Sequence, residues 1–167
     1  MAKPFSLLLL ASLGLALGGC GFQPLYGDRS NGASVENALL DIAIAPQRTR
    51  TGQLIRNAIL SGIAPSATGS GRRILEFTVS EKEKASIVSF NSGDRQRRLI
   101  LDVDFILKDR ASRRKLFSGR TFSEVSYTVT RQPAADMQAR INARETAARV
   151  VGRDLRTRLA AWLASHR

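Results

Sequence analysis

Arg98-Leu99-Ile100-Leu101-Asp102-Val103-Asp104-Phe105-Ile106-Leu107-Lys108 decides the fold. In an extended chain Leu99, Leu101, Val103, Phe105 and Leu107 share one face, while Arg98, Asp102, Asp104 and Lys108 share the other. A period of two with a single apolar face is the pattern of a strand in a sheet covered on one side only, which is the usual state of antiparallel sheets. The segment therefore predicts a central strand with helices on one side and a polar surface on the other.

The flanking sequence extends this sheet. Upstream, Leu75, Phe77 and Val79 alternate with Glu76, Thr78 and Ser80, and the alternation resumes weakly through Ile87, Val88 and Phe90 before the turn signal Asn91-Ser92-Gly93-Asp94. Downstream, a further strand runs from Lys115 to about Val129, with Val125, Tyr127 and Val129 on one face. Gly119 and an apparent change of phase between Phe117 and Phe122 predict a bulge in it. Ala38 to Ala45 partly alternates and stops at Pro46, which predicts the first strand. Leu54, Ile55, Ala58, Ile59 and Gly62 then follow at helical spacing, with Thr51 as the expected cap and Ile63-Ala64-Pro65 as the end. Pro133 opens a last helix, where its missing N–H costs nothing. That helix carries Met137, Ile141, Ala148, Val151, Leu155, Leu159 and Trp162 as its apolar stripe. The order β-α-β-β-β-α predicts an α+β two-layer sandwich, a mainly antiparallel four-stranded sheet with both helices on one face.

The N-terminal residues speak to compartment. Met1-Ala2-Lys3-Pro4 and the uncharged run Phe5 to Leu17 form a cationic start and an apolar stretch too short to span a bilayer permanently, so residues 1–19 read as a cleaved export signal. Leu17-Gly18-Gly19-Cys20 resembles the lipobox of bacterial lipoproteins. That resemblance implies lipidation of Cys20, whose thiolate is the nucleophile for the diacylglyceryl donor, and further acylation of the new amino terminus. Two or more acyl chains give stable anchoring. Cys20 is the single cysteine, so an internal disulfide is excluded. Gly21 stands where many inner-membrane lipoproteins carry aspartate, which favours the outer membrane. Residues 20–37, with Pro24, Gly27 and Gly32, read as a tether, and 38–167 as one α+β domain.

Lysine and arginine number 26 against 14 aspartates and glutamates. Such an excess ordinarily implies nucleic acid, but an exported chain on a membrane meets phosphorylated lipids instead, and the arginine fork suits phosphate. The basic clusters are Arg95, Arg97 and Arg98 at one strand start, and Arg110, Arg113, Arg114 and Lys115 across the next hairpin, with Phe90, Phe117 and Phe122 flanking. Arg97, Arg98, Arg113, Arg114 and Lys115 are the expected contacts for a phosphate-bearing amphiphile or a partner. The alternative is that charged hairpins only keep sheet edges from aggregating. For catalysis the chain offers little. His166 is the single histidine, near the C terminus. Asp102 and Asp104 could form a carboxylate pair or a metal site, but their basic neighbours make ion-paired sheet surface the better reading. No catalytic residue, metal ligand or cofactor is expected.

Gly19-Cys20-Gly21-Phe22-Gln23-Pro24-Leu25-Tyr26-Gly27 resembles the mature start of the alphaproteobacterial lipopolysaccharide-assembly lipoprotein family, LptE. The resemblance implies a non-enzymatic outer-membrane lipoprotein that plugs the lumen of a large β-barrel, an LptD-type translocon. It also implies that the chain helps the barrel assemble and binds lipopolysaccharide on its way to the cell surface. Of the family's functional positions only Cys20 carries over. An auxiliary lipoprotein of a phospholipid-transport ABC system is the alternative, and a periplasmic hydrolase a more distant one.

Overall fold

The computed structural model describes residues 37–63, 71–89, 95–130 and 132–166, with side chains left undescribed over 86–89. The export signal (1–19), nearly all of the tether (20–37), Cys20, Phe90 and the turn Asn91 to Asp94 lie outside the described residues. The elements are β1 (Ile42–Ile44), α1 (Arg50–Leu60), β2 (Arg73–Ser89), β3 (Arg95–Asp109), β4 (Lys115–Val129) and α2 (Pro133–Ser165). They form the expected α+β sandwich, a four-stranded sheet in the order β1-β2-β3-β4. β1 pairs parallel to β2 through the α1 crossover, and the other two pairings are antiparallel hairpins.

β3 behaves as its sequence dictates. Leu99, Leu101, Val103, Phe105 and Leu107 are all buried, Phe105 at 1% exposure and the others at 0%. Against them pack Leu75 and Phe77 of β2, Ile55 and Ile59 of α1, and Val151, Leu155 and Leu159 of α2. Both helices thus cover the same sheet face, and the other face of β2 to β4 carries the polar set. The two helices touch closely at Gly152, where a Cβ would lie 2.7 Å from the Ala58 methyl and 3.1 Å from the α1 backbone.

Four local expectations are corrected. Residues 37–40 form a helical turn and only Ile42–Ile44 join the sheet, because β2 begins at Arg73, opposite Ile42, and leaves nothing upstream to pair with. α1 is capped by Thr49, not Thr51. Thr49 is extended (φ −94°, ψ 150°), as a cap must be, and its Oγ1 accepts from the Gly52 N–H at 3.1 Å. Thr51 lies inside the first turn and donates to Glu81 at 2.6 Å. The β4 bulge falls between the pairs Leu107–Phe117 and Lys108–Lys115, beside the hairpin, and pairing is regular from Phe117 to Val129. The apparent phase change has another cause: Gly119, Thr121 and Ser123 hold the core face where α2 passes, and Phe122 points outward, 67% exposed. Met137 is also out of the core, 65% exposed. The α2 stripe is built largely from small residues, Ala143, Ala147, Ala148, Gly152 and Ala160, that let the helix lie close.

Candidate functional site

The basic residues singled out from sequence do not form one cluster. Arg97 and Arg98 sit near the start of β3, and Arg113, Arg114 and Lys115 sit past its end, so the two groups are about 35 Å apart along the strand. Arg97 and Arg98 also face opposite ways, as neighbours in a strand must.

Arg97 faces α2. There the apolar core gives way to an ionic one: Glu83 meets Arg97 at 3.7 Å and Arg140 of α2 more closely, and Glu81 accepts from Arg144 at 2.6 Å and from Thr51 at 2.6 Å. Burial raises the Glu81 carboxyl, but the hydrogen bonds from Arg144 and Thr51 more than offset this and hold it below its ordinary value. Tyr127, opposite Arg97 on β4, has its phenol raised by burial and by Glu83. A crevice of about 260 Å³ opens here, lined by Glu83, Arg97, Tyr127, Met137 and Arg140. Its cations are matched by carboxylates, so it presents little net charge.

Arg98 faces the open side of the sheet, within a ladder of cross-strand pairs. It meets Glu124 at 2.9 Å, Lys82 meets Asp102 at 3.4 Å, Arg120 meets Asp104 at 2.7 Å and Lys108 meets Glu76 at 2.5 Å. Asp102 and Asp104 are therefore ion-paired sheet surface, with partners on adjacent strands instead of along β3. Hydrogen bonds from Arg120 hold the exposed Asp104 carboxyl low. Among the described residues no group of three or more metal-ligating side chains converges. A groove of about 570 Å³ lies between the chain at Pro46 to Thr49 and the open face at Thr78, Asp104 and Ile106.

Arg113, Arg114 and Lys115 lie together and exposed on the β3–β4 hairpin. Asp109 shapes this turn by accepting from the Ser112 N–H at 2.8 Å and its hydroxyl at 2.7 Å, bonds that lower the Asp109 carboxyl. Arg113 closes it in the left-handed region, φ 59°, with its N–H donating to the Asp109 carbonyl at 2.9 Å. The register then brings in residues that the sequence reading did not select. Arg73 pairs with Asp109, and the Arg110 N–H donates to the Arg72 carbonyl at 2.8 Å, so the start of β2 joins the hairpin. Folding β2 onto β3 about the Asn91 to Asp94 turn would have placed Arg72 and Arg73 there to within a few residues.

Aromatic residues reach the same end. Phe117 stacks on Trp162 near the C terminus of α2 with centroids 5.9 Å apart, Trp162 stacks on His166 at 4.8 Å, and Phe117 meets Phe105 edge-on at 5.5 Å. Phe122, by contrast, is on the open face opposite Asp102, away from either basic group. His166 is exposed, with Nδ1 3.0 Å from the Trp162 carbonyl.

Three lipoproteins known from crystal structures share this architecture. A protein of Caulobacter crescentus CB15 provisionally assigned as a lipoprotein superimposes with a TM-score of 0.71 at 26% identity, over 80% of this chain and 98% of its own. The chain has the fold of a lipoprotein. A minor lipoprotein of Acinetobacter baumannii gives 0.53 at 13% identity, over 72% of this chain and 91% of its own. Rare lipoprotein B of Shewanella oneidensis gives 0.51 at 12% identity, over 75% and 97%. No protein-family profile matches the chain, and no curated protein matches it in sequence. Among the described residues no helix is long and apolar enough to cross a membrane.

Proposed function

We propose that the chain is a non-enzymatic outer-membrane lipoprotein, anchored on the periplasmic face through lipid on Cys20, that plugs and helps assemble an LptD-type lipopolysaccharide-translocating β-barrel. It binds lipopolysaccharide during delivery to the cell surface. The observation that carries this reading is the coincidence of two independent features: the Gly19 to Gly27 motif and a sandwich fold shared with lipoproteins of three bacteria. The small two-layer domain suits a plug, since its open sheet face is a ladder of cross-strand ion pairs that suits a polar lumen. Of the five basic residues, Arg113, Arg114 and Lys115, exposed together on the hairpin, are the cations offered to lipid A phosphates, whereas Arg97 and Arg98 already meet Glu83 and Glu124.

A pull-down from detergent-solubilised outer membrane tests the partner. A stoichiometric barrel supports the reading, and recovery of inner-membrane transporter subunits replaces it with the phospholipid-transport alternative. Charge reversal at Arg113, Arg114 and Lys115 should weaken binding of purified lipopolysaccharide. Unchanged affinity removes them from the ligand contact.

A further inference from the structure

The sheet has two outer edges, and they are finished differently. β1 covers only Arg73 to Leu75 of β2. Farther along, the β2 edge carries four consecutive charges: Glu81 and Glu83 turn inward to Arg144 and Arg140, and Lys82 and Lys84 are exposed on the other face. Inward-pointing charges and edge lysines are means of keeping a foreign strand away. Among the described residues β4 pairs with β3 alone, so its outer side has no strand beside it along all 15 residues. Its second half, Thr121-Phe122-Ser123-Glu124-Val125-Ser126-Tyr127-Thr128-Val129, holds one charge, no lysine, no proline and no bulge. It is rich in the β-branched and aromatic residues that strands favour.

The side chains along this edge are self-complementary. Phe122 stands in the middle of β4, 67% exposed on the open face. Arg120 and Glu124 flank it on the same face, the one bonded to Asp104 at 2.7 Å and the other to Arg98 at 2.9 Å. An antiparallel copy of β4 turned about a two-fold axis at Phe122 sets Phe122 against its own counterpart. Arg120 then faces Glu124 of the second copy and Glu124 faces its Arg120, so opposite charges meet twice. Asp104, Arg120, Glu124 of the second copy and its Arg98 alternate in sign across the joined sheet. On the core face Thr121 comes opposite Ser123, Gly119 opposite Val125 and Phe117 opposite Tyr127, with no like charges facing. Moving the axis by one residue leaves both charges facing neutral side chains. Moving it by two sets arginine against arginine or glutamate against glutamate. Val150 of α2, 49% exposed, lies one helical turn before Asp154, whose carboxylate accepts from Thr121 of β4. The flank of α2 above this edge thus adds an exposed apolar side chain.

We propose that the outer edge of β4 is a dimer interface, at which a second copy of this chain adds antiparallel about Phe122 and joins the two sheets into one. Such an isologous contact closes on itself, because each copy has one edge of this kind. The inference goes beyond the proposed function and does not rest on it. The dimer is the chain outside a barrel, where a bare edge is an aggregation hazard, and a lumen that takes up one copy replaces the pairing.

The full-length chain in detergent is the sample, and the parent, whose one cysteine is Cys20, is the control. Under oxidation Phe122→Cys should give a covalent dimer, because facing Cβ atoms in a strand pair stand about 4.5–5.5 Å apart. Ser118→Cys alone should give none, its counterpart being about 27 Å away along the strand, but it should cross-link when mixed with Ser126→Cys. In sedimentation, Phe122→Glu and Phe122→Lys should each raise the dimer dissociation constant by about tenfold with unchanged far-UV circular dichroism, and their equimolar mixture should pair again. If the charged variants fail to fold, the cysteine results decide by themselves. A parent chain that is monomeric at every concentration overturns the proposal, and so does a covalent dimer of Ser118→Cys, which places the axis elsewhere. Cross-linking of Phe122→Cys only to a different protein gives the edge another occupant and overturns the second copy.

Discussion

Arg113 adopts φ 59° because the 109–114 hairpin needs a left-handed residue to return the chain. Arginine bears this at modest cost, whereas a β-branched side chain clashes there. Arg113→Val should therefore unfold in urea with about 1–2 kcal/mol less stability than Arg113→Gly, which should match or exceed the parent chain; equal values for the two variants would contradict the assigned backbone. Glu81 makes a second prediction at this scale. Its carboxyl is held below the ordinary glutamate value of 4.5, so its contribution is complete above that pH and is lost as pH falls through the folded-state value. Acid unfolding of Glu81→Gln should begin from a lower neutral stability and show a shallower slope below pH 4.5 than the parent, measured by chemical denaturation at stepped pH. Polar residues of this kind are where the sequence was least legible. Thr121 is 3% exposed and its hydroxyl is taken by Asp154 of α2, whose carboxyl burial raises but Thr121 and Arg158 lower overall. Seen in sequence alone, a threonine and a serine at core positions of β4 look like a break in the apolar alternation, and so a bulge was expected where none exists.

At the level of elements, α1 and α2 are locked by a contact with no spare volume. Gly152 lies against Ala58, so Gly152→Val should push the helices apart and cost about 1–3 kcal/mol by overpacking. Leu155→Ala, at 0% exposure in the same helix, should cost about 2–5 kcal/mol by leaving a cavity. Thermal or urea denaturation distinguishes both from surface changes such as Arg149→Ala, expected within about 0.5 kcal/mol. The strands β2 to β4 and the helix α2 were legible because each buries one face over many residues and the period repeats. β1 was overestimated because a strand's length depends on its partner, which the local sequence does not contain. Met137 was assigned to the core because helical periodicity continues past the end of the apolar layer. Only the tertiary placement of Glu81 and Glu83 opposite Arg140 and Arg144 shows where that layer ends.

For the molecule as a whole, the basic residues singled out from sequence divide between one end, where Arg97 lines a charge-matched crevice and Arg98 joins the ion-pair ladder behind it, and a positively charged hairpin at the other. Periodicity shows that Arg97 and Arg98 face opposite ways, but only register shows which distant arginines join them. Trp162, the single tryptophan, reports on the hairpin end through its stack on Phe117. Its fluorescence should follow the same urea transition as far-UV circular dichroism, because its stacking partner Phe117 packs edge-on against Phe105 of the core; an earlier fluorescence change would show the C-terminal stack opening on its own. The parallel pairing of β1 has a mechanical consequence. Under the anchoring proposed above, a pull on the domain from its N-terminal side would pass into Ile42–Ile44, which runs alongside the first residues of β2. Tension along that axis loads the short ladder in shear, so its main-chain bonds resist together instead of opening one by one. Asp41, clasped by Arg72 and Arg73, sits at the point where that force enters and acts as a strain relief, much like the clamp that keeps a cable from tearing out of its plug.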